Sequence, residues 1–183
     1  MTPIKLDIAC GQRKQAGFVG VDLAALPDVD IVHDLMKFPW PLEGESASEV
    51  FCSHYIEHIP HRAFGDSGPD PFFLFFDEVW RVMQVGAQGK FIAPYYSSMR
   101  CWQDPSHCRA ISDATGLYLN KAWRKLNGLD HYPIRCDFDF LVAYDVPNDI
   151  MVRAEEHRNF AFRHYANAIN DIHLIVTKRP TGS

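Results

Sequence analysis

At 183 residues the chain is long enough to bury a real core within one domain, and no second domain is required. Hydrophobic residues at 47% and charged residues at 22% match an ordinary globular protein and exclude the composition of a disordered chain. A net charge of -5 and a pI near 5.9 exclude a globally basic nucleic-acid binder; the one basic stretch, Lys121 to Lys125, is short, so no nucleic-acid partner is expected.

Five cysteines form an odd set without a C-x-x-C pair, which argues against a disulfide scaffold and against a cysteine-held zinc site, and for a reducing compartment. The N-terminus enters a short apolar run containing Asp7, unlike a signal or transit peptide. No apolar stretch approaches the ~18 residues of a membrane span, so no membrane partner is expected and the location defaults to the cytoplasm. Nothing in the sequence fixes an oligomeric state.

In chain order, Lys5 to Cys10 is a short apolar run closed by Gly11, the pattern of a buried strand ending in a turn. Phe18 to Leu23 repeats it with Asp22 near its end, and Ile31-Val32 gives a third short strand. Pro39 and Pro41 make the following segment a loop. Glu49 to Ser53 is a fourth strand, and Gly65 to Asp70 an exposed loop. Asp70 caps a helix with Pro71 at its first position; Phe72, Phe75, Phe76, Val79 and Met83 share one face, and the helix ends by Gly86. Lys90 to Ala93 is the fifth strand, stopped by Pro94. A helix is expected around Tyr118 to Leu126, a strand over Phe138 to Tyr144, a helix over Met151 to Ile169, and a strand over Ile172 to Thr177 before a polar tail. Strands alternating with helices predict an α/β fold, a Rossmann-like, mostly parallel sheet with helices on both faces. The first crossover is short: seven residues separate Cys10 from Phe18, where a parallel neighbour normally takes a dozen or more. An extended or single-turn connection is the expected solution.

In such sheets ligands bind beyond the carboxyl ends of the strands. Four endings stand out: Asp7-Ile8-Ala9-Cys10-Gly11-Gln12, Gly20-Val21-Asp22, His33-Asp34-Leu35 and Cys52-Ser53-His54. Here the sequence resembles the class I S-adenosylmethionine-dependent methyltransferases, in particular the group whose motifs read L-D-x-G-C-G, S-H-x-L-E-H and R-V-L-x-P-G-G, over Lys5 to roughly Ile111. Gly11 lets the backbone approach a ligand closely, and a carboxylate ending the second strand, Asp22, can accept both hydroxyls of a ribose. The resemblance implies that Ala9, Cys10 and Gly11 form the cofactor turn, that Asp7 orients the methionine end through its ammonium, that Asp34 with Leu35 holds the adenine, and that Ser53 and His54 lie near the sulfonium. The cofactor half would be residues 4–94 and the acceptor half 95–178. Where the family has three spaced glycines this chain has Ala9, Gly11 and Arg13, so a domain that kept the sheet and lost cofactor affinity is the competing reading. The gap also argues against NAD, whose pyrophosphate needs a G-x-G-x-x-G turn on a helix N-terminus.

His54-Tyr55-Ile56-Glu57-His58 also spells H-x-x-E-H, the pattern of the inverted zinc proteases. It follows directly on a strand and meets Pro60, so His54 and His58 are not expected to converge on an ion; no metal is expected, Glu57 and His58 brace the turn, and His54 alone faces ligand. Gln103-Asp104-Pro105-Ser106-His107, similar to a D-P-x-H in the family, lies after the fifth strand, where the family builds its acceptor pocket. Asp104 and His107, with His54, are therefore the candidate catalytic residues for methyl transfer to a small-molecule or side-chain acceptor, steering or deprotonating it. Tyr95 and Tyr96 are candidate pocket walls, and Trp40 and Trp102 candidate packing residues.

Overall fold

The computed structural model of the chain describes residues 2–63 and 65–180; the end of the polar tail lies outside them. The strands are β1 (Ile4–Ile8), β2 (Val19–Asp22), β3 (Ile31–Val32), β4 (Ala47–Ser53), β5 (Met83–Pro94), β6 (Phe138–Asp145) and β7 (Asp171–Lys178). They form one seven-stranded sheet in the order β3-β2-β1-β4-β5-β7-β6. The first five run parallel, and β7 is antiparallel to both β5 and β6. No described helix is long and apolar enough to cross a membrane.

The expected capped helix is α1 (Pro71–Val82): Asp70 Oδ1 accepts from the Phe72 amide at 2.9 Å, and Phe72, Phe75, Phe76, Val79 and Val82 are buried. Phe75 and Phe76 pack against Phe91 of β5, with ring centroids 6.2 and 5.0 Å apart, which seats α1 on the sheet. β5 begins at Met83 with no intervening loop, seven residues before the expected strand, and a register shift between Ala47 and Glu49 of β4 absorbs the extra length.

The short first crossover contains no helix. Two buttresses hold it instead: Asp7 Oδ2 accepts from the Gln15 amide at 2.7 Å, and Asp30 Oδ2 takes both the Gly20 amide and Lys14 Nζ at 2.7 Å. The absence of a helix there leaves cover of the sheet uneven. Val50, Cys52, Phe91, Leu174 and Val176 are buried on the α1 side, whereas the alternating residues Phe51, Ile92, His173 and Ile175 are half-buried and Leu141 is exposed.

Two expected helices change form. Asn120 divides the Tyr118 to Leu126 segment, because its side chain caps α3 (Lys121–Leu126) through the Trp123 amide while donating to the Phe138 carbonyl; the preceding Asp113–Leu119 is a 3₁₀ turn. The single helix over Met151 to Ile169 is instead α4 (Asn148–Met151) and α5 (Glu155–His164), followed by an extended run. Tertiary bonds end it: Asn167, at φ 60°, donates its amide to the Ser97 carbonyl and accepts from the Met99 amide at 2.5 Å, so Ile169 enters the core from a loop while Tyr165 stays exposed. α2 (Arg100–Gln103) is a further short helix after β5.

Candidate functional site

Parallel β1, β2, β4 and β5 bring Ile8, Asp22, Ser53 and Pro94 to one edge of the sheet. The backbone turns sharply there: Ala9 (φ 55°) and His54 (φ 53°), each directly after a strand, and Gly11 (φ 52°), two residues beyond Ala9, all adopt the left-handed conformation. For a non-glycine residue this costs about 1–2 kcal/mol, and it persists where surrounding bonds dictate it. Here those bonds run from the Ala9 amide to the Val21 carbonyl and from the His54 amide to the Ile92 carbonyl, each 2.8 Å.

Asp22 ends β2, beside the β1 turn. Its Oδ2 accepts from the Gly11 amide and its Oδ1 from the Ala24 amide, both at 2.9 Å, leaving each oxygen a further lone pair. Beside it, a cleft of about 540 Å³ is lined by Asp7, Ala9, Cys10, Arg13, Ser53 and His54, among others. Asp7 is buried, and burial raises its pKa against the opposing pull of the Gln15 amide. Burial also pushes the Cys10 thiol up to about 11, with Asp7 and Asp22 adding to the effect, which keeps it protonated and unreactive.

A second cleft, of about 490 Å³, opens on the other side of His54 and is lined by Glu57, His58, Arg100, Gln103, Asp104 and His107 with it. His107 Nδ1 lies 2.9 Å from the Cys101 carbonyl, which can only accept, so the proton is on Nδ1 and the Nε2 lone pair is free, 4.0 Å from Asp104 Oδ2. Asp104 Oδ1 takes the Ser106 amide and hydroxyl at 2.8 and 2.7 Å, and these bonds lower its pKa. His54 Nδ1 stands 3.3 Å from Glu57 Oε1, and that contact raises the His54 pKa.

The structure thus gathers Asp7, Ala9, Cys10, Ser53 and His54 around one cleft and His54, Asp104 and His107 around the other, with Gly11 and Asp22 joined at the strand edge. Asp34 lines neither cleft; its carboxylate accepts from the Met36 amide at 3.0 Å. The Leu35 side chain is in the core, so only its backbone is available to a ligand. Tyr95 is buried with its hydroxyl on Asp113, and Trp102, expected to pack, is exposed. Glu57 and His58, expected to brace the turn, sit in a single 3₁₀ turn over residues 56–58 that the Cys108 and Arg109 amides tie through the Glu57 carbonyl, and both also line the second cleft. His58 stands edge-on to His107, with ring centroids 4.7 Å apart, a pairing that the H-x-x-E-H spacing does not display.

No protein-family model matches the chain, and no curated protein matches it. Solved structures do. The chain is similar to a methyltransferase from Archaeoglobus fulgidus, with a TM-score of 0.63 at 16% identity over 97% of this chain and 86% of the other. The chain has the fold of the S-adenosylmethionine-dependent methyltransferases. This methyltransferase fold recurs in a Mesorhizobium loti enzyme, with a TM-score of 0.52 at 14% identity over 97% and 92% of the two chains. It also recurs in geranyl diphosphate C-methyltransferase from Streptomyces coelicolor, solved with geranyl diphosphate and S-adenosyl-L-homocysteine, with a TM-score of 0.51 at 12% identity over 94% and 71%. Relative to the glycine-rich turn expected of the methyltransferase motif, Ala9 occupies a left-handed position that a glycine would hold without strain.

Proposed function

We propose that the chain is a methyltransferase that binds S-adenosylmethionine with residues 4–94 and presents a small-molecule or side-chain acceptor with residues 95–178. The observation that carries this is the pair of clefts meeting at His54, one against Asp7 and the strand-end turn, the other against Asp104 and His107. A methyl donor and its acceptor need adjoining sites, and both volumes fall in the roughly 300–1,000 Å³ range of ligand pockets. The residues fit the cofactor: Asp22 keeps lone pairs for a diol, Gly11 has open space where a side chain would stand, and Asp7 places a buried carboxylate where an ammonium would neutralise it.

The cofactor supplies an electrophilic methyl on a sulfonium. The protein's part is to hold donor and acceptor in line: Asp22 fixes the sugar, Asp7 the amino-acid end, and His54 forms the wall between the clefts. Asp104 and His107 face the acceptor, and the free Nε2 of His107 accepts its proton or a hydrogen bond. S-adenosylhomocysteine at 100 times its dissociation constant should stabilise the fold by about 2.7 kcal/mol. Thermal denaturation should show this as a rise of roughly 5–10 °C. No shift at millimolar ligand would favour instead a domain that kept the sheet without the cofactor.

A further inference from the structure

Glu57 is 1% exposed, and neither of its carboxylate oxygens has a hydrogen-bond donor; the His54 contact is off-line for one oxygen and absent for the other. A buried carboxylate in that condition carries a large desolvation cost, which the His54 ring at 3.3 Å offsets at one oxygen only and a bound cation would offset in full. Its neighbours are suited to bring one. Ligand atoms of Glu57, His58 and His107 lie within 4.8 Å of one another, and His54 is not part of the group. Ligands bound at about 2.0–2.1 Å from a tetrahedral ion stand roughly 3.3 Å apart, so a modest contraction closes the site.

Hydrogen bonds at Nδ1 of both histidines leave Nε2 as the nitrogen available to an ion. The Cys101 carbonyl holds the proton on His107 Nδ1. Ser106 donates its hydroxyl proton to Asp104 at 2.7 Å and so can only accept from His58 Nδ1, 3.1 Å away, leaving the His58 Nε2 lone pair free. This is the arrangement in which outer partners orient metal-bound imidazoles. The segments carrying the ligands are tied through their backbones, since the Cys108 and Arg109 amides both donate to the Glu57 carbonyl at 2.8 and 3.0 Å.

We infer that Glu57, His58 and His107 bind a divalent transition-metal ion at the floor of the second cleft. Two imidazoles and one carboxylate suit Zn²⁺ or Co²⁺ and leave coordination positions open toward the cleft, as in a reactive rather than a structural site. Metal binding itself is independent of methyl transfer. Its use rests on the proposed function: an oxygen of the acceptor would take an open position, His107 would serve as ligand in place of the proton-accepting role given above, and the acceptor's proton, made more acidic by the ion, would pass to Asp104 in the same cleft and on to solvent. This replaces the expectation from sequence that no metal is held.

Untagged full-length protein, stripped with chelator, should bind one Co²⁺ per chain in a calorimetric titration and develop a visible absorption band that Zn²⁺ displaces. Glu57→Gln and His107→Ala should each weaken Co²⁺ at least tenfold with unchanged circular dichroism, while the exposed-site control His164→Ala changes nothing. Ser106→Ala, which removes the hydroxyl that links His58 Nδ1 to Asp104 Oδ1 and touches no ligand atom, should weaken it about 10-fold. It also guards against the case in which a ligand variant fails to fold. No Co²⁺ binding at millimolar concentration, or binding that survives both ligand variants, overturns the inference. The S-adenosylhomocysteine melting shift, read on the same chelated sample, reports the methyltransferase reading separately.

Discussion

At the scale of single residues, the candidate site is built from groups that tie the fold together and are also proposed to hold the ligand. Asp22 is the clearest case, because it ties the Gly11 and Ala24 amides and is also the carboxylate proposed to hold the ribose. Asp22→Ala should therefore weaken S-adenosylhomocysteine by roughly 1.5–3 kcal/mol in calorimetry and also lower the stability of the free protein by about 1–3 kcal/mol. A loss of affinity with no loss of stability would mean the backbone bonds are dispensable. Ala9 gives the opposite sign: at φ 55° a glycine removes about 1–2 kcal/mol of strain and adds up to about 1 kcal/mol of chain entropy, so denaturant melts of Ala9→Gly should show unchanged or higher stability. Asp7 carries a pH signature. Its pKa is raised by burial, so the folded state holds that proton more tightly than the unfolded chain; the associated stability is complete below the ordinary value of 3.8 and is lost as pH rises through the folded value. Urea melts of Asp7→Asn should lack that decline, and a bound ammonium ligand should suppress it in the parent. The sequence exposed these carboxylates through their strand-end positions, whereas the backbone bonds that employ them appear only once β1 and β2 lie side by side.

At the scale of elements, periodicity was reliable where burial and period coincide. α1 has both a capping Asp70 and a continuous apolar face, and it forms where the pattern puts it. The segment after His164 has the period without the burial, and bonds from Asn167 to the β5–α2 connection unwind it. Nothing local to that segment announces those partners, which lie about seventy residues away. The 3₁₀ turn over Asp113–Leu119 shows the same dependence on distant packing: a side chain at Gly116 would run into the Phe140 ring of β6. Gly116→Ala should accordingly cost about 1–3 kcal/mol in equilibrium unfolding. An unchanged midpoint would mean that the turn slides along β6 rather than packing on it.

At the scale of the whole molecule, the shortened crossover and the two clefts are parts of one arrangement, since a β1–β2 connection without a helix leaves the Asp7 side of the strand edge open to a ligand. If donor and acceptor occupy separate clefts, Asp104→Asn should change S-adenosylhomocysteine affinity by less than about threefold, or roughly 0.65 kcal/mol, while removing turnover once an acceptor is supplied. A tenfold loss of affinity in calorimetry would instead put Asp104 in the cofactor cleft. The sequence by itself determined the α/β class, the strands and the capped helix, and it pointed to the ends of β1, β2 and β4 as the place to look for chemistry. Those follow from local patterns of burial, turn residues and strand polarity, which a chain carries within a few residues of each position. Only the tertiary structure decided that His107 reaches His58 and Glu57, that Asn120 and Asn167 break the expected helices, and that one side of the sheet stays partly uncovered. Each of these depends on hydrogen bonds or packing between segments tens of residues apart, and such contacts have no period for a linear sequence to display.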